Sequence, residues 1–147
     1  MKREEFDKLV EEVKSKNPIL FGLEPDQKAE VAEIETVEAY YGIKLPQDYK
    51  DFLLKYGGGY FAYIIVYSMD ENSDFCLRNK VRPKFLEKYN FLPVVDFETG
   101  DVAGFKIIDG KCQNTISIYN HENAEMIDLE DNLYGVLTEY GISVSGR

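Results

Sequence analysis

Tryptophan is absent, histidine occurs once and cysteine twice. Cys76 and Cys112 are too few for a disulfide framework and read as reduced thiols packed as small apolar groups. They lie far apart with no second cysteine at short spacing, which argues against a zinc site. The single histidine sits in Tyr119-Asn120-His121-Glu122-Asn123. It could be a general base, but no nucleophile or orienting partner accompanies it in sequence. The other reading of His121 is a solvated residue at a strand end. The lack of tryptophan removes the obvious platform for a sugar, and paired glycosidase carboxylates cannot be picked out by spacing alone. No run of about 18 apolar residues occurs, so no membrane span is expected. Met1-Lys2-Arg3-Glu4-Glu5 leads straight into an amphipathic pattern without an apolar stretch, so no secretory signal is expected either. Together these features favour the cytoplasm.

Two apparent ligand motifs fail on inspection. Asp70-Glu71-Asn72-Ser73-Asp74 offers oxygens at positions 1, 3 and 5 of a calcium loop. The glycine needed at position 6 is Phe75, and the glutamate needed at position 12 is Val81. Gly57-Gly58-Gly59 resembles a phosphate cradle, but such a cradle precedes a helix and is followed by Lys-Ser/Thr. Here the glycines follow a helical pattern and read as a C-cap and turn. No metal or cofactor is expected.

What the chain has in plenty is acid and aromatic residues. It carries 27 acidic and 17 basic side chains, a net charge of −10, in 147 residues. Such a field repels nucleic-acid phosphates and anionic lipid, and attracts basic surfaces. The excess is uneven: residues 101–147 hold eight acids against three bases. Asp96, Glu98 and Asp101 flank an expected hairpin turn. Glu122, Glu125, Asp128, Glu130 and Asp131 crowd the approach to an expected last helix, where acids near a helix N-terminus are stabilising without any function. Against the trend, Arg78, Lys80, Arg82, Lys84 and Lys88 form a basic island opposed only by Glu87. It reads as a solvated loop, or as a contact for a phosphate or an acidic partner. Eleven tyrosines and nine phenylalanines exceed what turns need, so most are expected in the core.

Periodicity predicts α+β. Phe6, Leu9, Val10 and Val13 mark one helical face, ended by Asn17-Pro18. A second helix is predicted from about Pro25 to Tyr41, stopped by Gly42. A third is predicted over Pro46–Tyr56, with Pro46 at the first helical position and Tyr49, Phe52, Leu53 and Tyr56 on its face. Tyr60–Tyr67 reads as one buried strand, on which Tyr60, Tyr63 and Tyr67 share a side. Pro83–Tyr89 is a candidate short helix. Strands are expected at 91–97, 102–108 and 115–119, with turns at Glu98-Thr99-Gly100-Asp101 and Asp109-Gly110. A last helix is expected from about Leu129 to Tyr140. Helices followed by hairpin-linked strands and a final helix argue a mainly antiparallel, mixed sheet with N- and C-terminal helices packed on it, in a single domain over 1–147.

The segment Val37-Glu38-x-Tyr40-Tyr41-Gly42-x-x-Leu45-Pro46-x-Asp48-Tyr49-x-x-Phe52-Leu53-x-x-Tyr56-Gly57-Gly58-Gly59 resembles the SUKH superfamily of Smi/Knr-like domains. Leu92-Pro93, Gly100-Asp101, the isoleucine-rich strand before His121 and the C-terminal amphipathic helix extend the likeness over roughly residues 28–140. Tyr40 departs from the usual aliphatic residue, and Gly57 stands where asparagine is common. The resemblance implies an α+β fold without a catalytic residue set. It also implies a bacterial immunity protein that binds and neutralises a cognate polymorphic toxin, commonly a basic nuclease domain, with no direct nucleic-acid or membrane contact. The alternative is a regulatory or adaptor module of the same fold. The quoted motif residues identify the fold, so partner binding is expected on other surface. The expected set is Asp96, Glu98, Asp101, His121, Glu122, Glu125 and Asp128.

Overall fold

The computed structural model describes residues 1–143. Its first helix, α1 (Arg3–Lys16), ends where Asn17-Pro18 predicts, and a short 3₁₀ turn follows at Pro18–Phe21. Phe6 and Val10 are buried while Leu9 and Val13 lie at the edge of the core. The second helix, α2 (Val31–Tyr41), starts later than its pattern suggests. Residues 24–30 are instead held extended: Asp26 N–H donates to the Gly58 carbonyl and Ala29 N–H to the Leu53 carbonyl. A reciprocal Glu30/Glu33 capping box then opens the helix. Val31 is exposed at this first turn, while Ile34 and Val37 are buried.

Helix α3 (Gln47–Tyr56) is capped by Pro46 and buries Tyr49, Phe52 and Leu53. The three glycines after it all have positive φ, and they close around Asp26. A Cβ at Gly57 would stand 2.3 Å from the Asp26 carbonyl oxygen, at a φ of +86°. Asparagine would carry that Cβ into the Asp26 backbone, so in this chain the position takes glycine.

The run Tyr60–Tyr67 is not one strand. It is a hairpin, β1 (Gly59–Phe61) and β2 (Ile64–Val66), turned by Ala62-Tyr63 with Ala62 at a φ of 53°. The shared side expected for Tyr60, Tyr63 and Tyr67 is therefore lost. Tyr63 sits exposed in the turn, Tyr60 is at the surface, and Tyr67 is buried. Period alone could not separate one strand from two, because the turn contains no Gly, Pro, Asn or Asp.

Two short helices follow, α4 (Leu77–Lys80) and α5 (Pro83–Tyr89). The basic island is thus helical rather than a loop. Strands β3 (Phe91–Asp96), β4 (Val102–Ile108), β5 (Lys111–Asn120) and β6 (Glu125–Asp128) then complete the sheet. The order is β1-β2-β3-β4-β5-β6 and every ladder is antiparallel. The only parallel features among the described residues are two isolated bridges, Lys44 with Lys111 and Ser68 with Cys76.

Strand β6 and the start of the last helix correct the expected boundary near Leu129. Ile116 N–H donates to the Asp131 carbonyl, and Leu129 N–H to the Ile116 carbonyl. These bonds keep residues 129–131 on β5, so the helix α6 (Leu133–Val136) waits for its N-cap, Asn132, whose side chain accepts from Gly135 N–H. A π-helical turn continues from it over Leu137–Ile142. Glu130 and Asp131 therefore precede the cap, and Glu122, Glu125 and Asp128 belong to a turn and an edge strand.

One continuous core holds these parts together. Phe6, Phe52, Tyr56 and Phe61 form an aromatic cluster, with ring centroids 5.2–6.4 Å apart. Both cysteines are free; Cys76 is buried, and burial pushes the Cys112 thiol up to about 12. No helix among the described residues is long and apolar enough to cross a membrane.

Candidate partner-binding surface

The meander brings two turns to the same end of the sheet. One joins β3 to β4 (residues 97–101) and the other joins β5 to β6 (residues 121–124). They meet because Val102 pairs with Tyr119, and Asn120 pairs with Glu125, at the last rungs of their ladders. Six of the seven expected site residues gather here: Asp96, Glu98, Asp101, His121, Glu122 and Glu125.

His121 joins the two turns. Its backbone N–H donates to Asp101 Oδ1 at 3.1 Å, and its Nδ1 lies 2.7 Å from the same oxygen. Its ring packs on Gly100, where any Cβ would stand 2.6 Å from the ring. This contact holds the Asp101 carboxyl below the usual aspartate range. Sequence inspection found no orienting partner for His121; the partner is twenty positions away and visible only after folding.

Asp96 is fixed on the other flank. It accepts from Glu98 N–H at 2.7 Å and from the Tyr67 hydroxyl at 3.3 Å. Burial and the Asp96 charge together push the Tyr67 hydroxyl well above the usual tyrosine range. The Glu98, Glu122 and Glu125 side chains project from the surface. Among the described residues no partner orders the Glu122 and Glu125 carboxylates, while their backbone N–H groups are bound by the Asn120 and Asn123 side chains.

Asp128 stands apart. It pairs with Ser117, three rungs from the turns, a distance of about 10 Å along the strand. Its carboxylate is taken by Lys106 Nζ at 2.8 Å and the Ser117 hydroxyl at 2.7 Å, and both hold it below the usual range. It has little charge to offer a partner.

The Asp70–Asp74 segment also resolves into structure. Asp70 accepts from Asn72 N–H and Gln27 N–H, so its carboxylate works as a local cap. Arg78 of the basic island pairs with Glu71 at 2.7 Å.

The motif block lies elsewhere and is mostly interior. Glu38 accepts from Leu45 N–H at 2.9 Å, Tyr41 donates to the Val81 carbonyl at 2.8 Å, and Tyr49 donates to the Tyr67 carbonyl at 2.6 Å. Lys44 N–H and carbonyl clamp the block to the β4–β5 turn through Gly110 and Cys112. A family model described as SUKH_6, SMI1-KNR4 cell-wall, matches residues 31–135, which contain this block and the whole sheet from β1 to β6. The chain belongs to the SUKH superfamily. A search among curated proteins finds no match. In this SUKH domain Glu38, Tyr41 and Tyr49 each satisfy a buried or half-buried backbone group, which is a folding role.

Sequence reading missed one feature of the SUKH domain's acidic end. Beneath Asp101, on the face that carries Ile118, the residues Tyr63, Ile64, Phe97, Thr99 and Tyr140 line an open cleft of about 360 Å³. The sequence pattern predicts Tyr63 on a straight strand and Tyr140 at the end of the last helix. Only the β1–β2 turn, docked through Tyr63 N–H on the Gly141 carbonyl, sets them side by side.

Proposed function

We propose that this chain is an immunity protein: it binds a cognate polymorphic toxin, a basic nuclease domain, and neutralises it by covering its nucleic-acid-binding surface. It does so in the cytoplasm and without catalysis of its own. The observation that carries the reading is the convergence of Asp96, Glu98, Asp101, Glu122 and Glu125 on one end of the sheet, in a superfamily to which immunity proteins belong. A nuclease presents cations to phosphate, and an inhibitor with clustered carboxylates at an exposed rim steers onto those cations and gains association rate. The glutamates are suited to this because no internal pair among the described residues takes their charges, in contrast to Asp128.

The test is co-expression with a candidate toxin encoded beside this gene, scored by growth. Rescue is the expected result. Both proteins expressed without rescue would overturn the proposal and leave a regulatory or adaptor module. With the toxin in hand, stopped-flow association should slow with added salt, since exposed charges are screened within a Debye length of about 8–10 Å. Replacing Glu98, Glu122 and Glu125 together by glutamine should lower the on-rate roughly tenfold at low salt. A salt-independent on-rate would remove the acidic end from the mechanism.

A further inference from the structure

The cleft beside the acidic end has the composition of a specific recognition pocket. Three aromatic side chains, Tyr63, Phe97 and Tyr140, line it together with Ile118. Phe97 and Tyr140 pack against each other at 5.2 Å between ring centroids. Tyr63 is 52% exposed, unusual for a residue whose ring adjoins buried Ile64. The apolar surface continues onto the edge strand, because Ile127 pairs with Ile118 and cross-strand partners face the same way. Ile127 is also 52% exposed.

Charge on this face has one sign. Asp101 lines the cleft, and Glu125 lies two residues before Ile127, so it projects from the same side. No lysine or arginine is among the cleft's lining residues. The Asp101 carboxylate is also pre-positioned: both contacts from His121 fall on Oδ1, which orients the second oxygen without consuming it. Aromatic rings beside a fixed carboxylate attract a cation that is planar and weakly hydrated.

We infer that this cleft is the specificity pocket of the partner interface and that it receives an arginine side chain from a basic partner protein. The guanidinium stacks on the Tyr63 and Tyr140 side of the cleft and donates to Asp101, while its aliphatic stem covers Ile118. Arginine is favoured over lysine because the guanidinium has a flat face for the rings and a fork of donors for the carboxylate. The inference rests on the proposal that a basic protein binds this end of the molecule, but it can fail separately.

The experiment uses the full chain and three capped pentapeptides, Gly-Ser-Xaa-Ser-Gly with Xaa as arginine, lysine or citrulline, followed by NMR. The arginine peptide should shift the ring resonances of Tyr63, Phe97 and Tyr140 and the methyl resonances of Ile118. The lysine peptide should bind at least threefold more weakly, and the citrulline peptide, which keeps the shape and loses the charge, should leave those signals in place. Asp101→Asn should weaken the arginine peptide roughly tenfold, about 1.4 kcal/mol. Tyr63→Ala, in an exposed turn away from the Asp101–His121 contact, should weaken it as well. Equal shifts from arginine and citrulline peptides, no shifts, or shifts confined to residues outside the cleft would overturn the inference. If the cleft fails this test while co-expression still rescues growth, the immunity reading stands with a different pocket. If the cleft passes and rescue fails, the arginine-bearing partner is not a toxin.

Discussion

The Glu38–Gly59 block and the two-turn end of the sheet differ in how their polar groups are spent. In the block, three polar side chains turn inward to backbone partners: Glu38 on Leu45, Tyr41 on Val81, Tyr49 on Tyr67. At the two-turn end, backbone amides are satisfied by Asp96, Asp101, Asn120 and Asn123, while the glutamates are left to solvent. Burial makes the first set costly to lose and exposure makes the second cheap to change. A surface that must recognise one partner among many can vary only where folding does not depend on it.

This contrast can be broken by mutation. The largest expected effect is in the block: Phe52→Ala, which empties the aromatic cluster of α1, α3 and β1, should cost about 3–5 kcal/mol by urea denaturation. Tyr49→Phe should cost about 1–3 kcal/mol, because the Tyr67 carbonyl then loses its 2.6 Å donor inside the core. A smaller loss would mean that the carbonyl finds another donor. The combined Glu98→Gln, Glu122→Gln and Glu125→Gln variant should stay within about 0.5 kcal/mol of the parent by the same measurement, since these are exposed positions. If it melted like Tyr49→Phe, the two regions would not differ as described.

The smallest effect concerns pH. Hydrogen bonds from His121 lower the Asp101 carboxyl, so the folded state favours its ionised form. Whatever stability this pair contributes is present above the ordinary aspartate range and is lost as pH falls through the lowered value. His121→Gln should move the Asp101 titration midpoint back up toward the ordinary range, read from its carboxyl carbon resonance. Both groups are at the surface, so little change in melting is expected.

Helices announced themselves most clearly. The spacing of Phe6, Leu9, Val10 and Val13, and of Tyr49, Phe52, Leu53 and Tyr56, carries its own period, and Pro18, Gly42 and Gly57 mark their ends. The failures share a cause. At 24–30 the chain follows Leu53 and Gly58 rather than its own helical preference, and at 129–131 it follows Ile116. At Ala62-Tyr63 a turn forms without turn residues because the Tyr63 amide docks on Gly141. Each of these segments is decided by hydrogen bonds to residues distant in sequence, which local propensity cannot register. The site divided likewise. Asp96, Glu98, Asp101, His121, Glu122 and Glu125 were legible as an acidic set, but Asp128 was not separable from them, because its pairing with Lys106 spans 22 positions.

The sequence by itself determined the superfamily, the faces of the first and third helices, the antiparallel strands β3, β4 and the second half of β5, and the acidic excess of the last third. All of these are properties of composition and of spacing within a few residues, where 3.6- and 2-residue periods and turn chemistry act directly. The tertiary structure alone decided which acids stand free, that His121 locks Asp101, and that Tyr63, Phe97 and Tyr140 border one cleft. Those outcomes depend on strand register and on the docking of a turn against the final helical segment. They are contacts between residues twenty or more positions apart, set when the whole core is buried together.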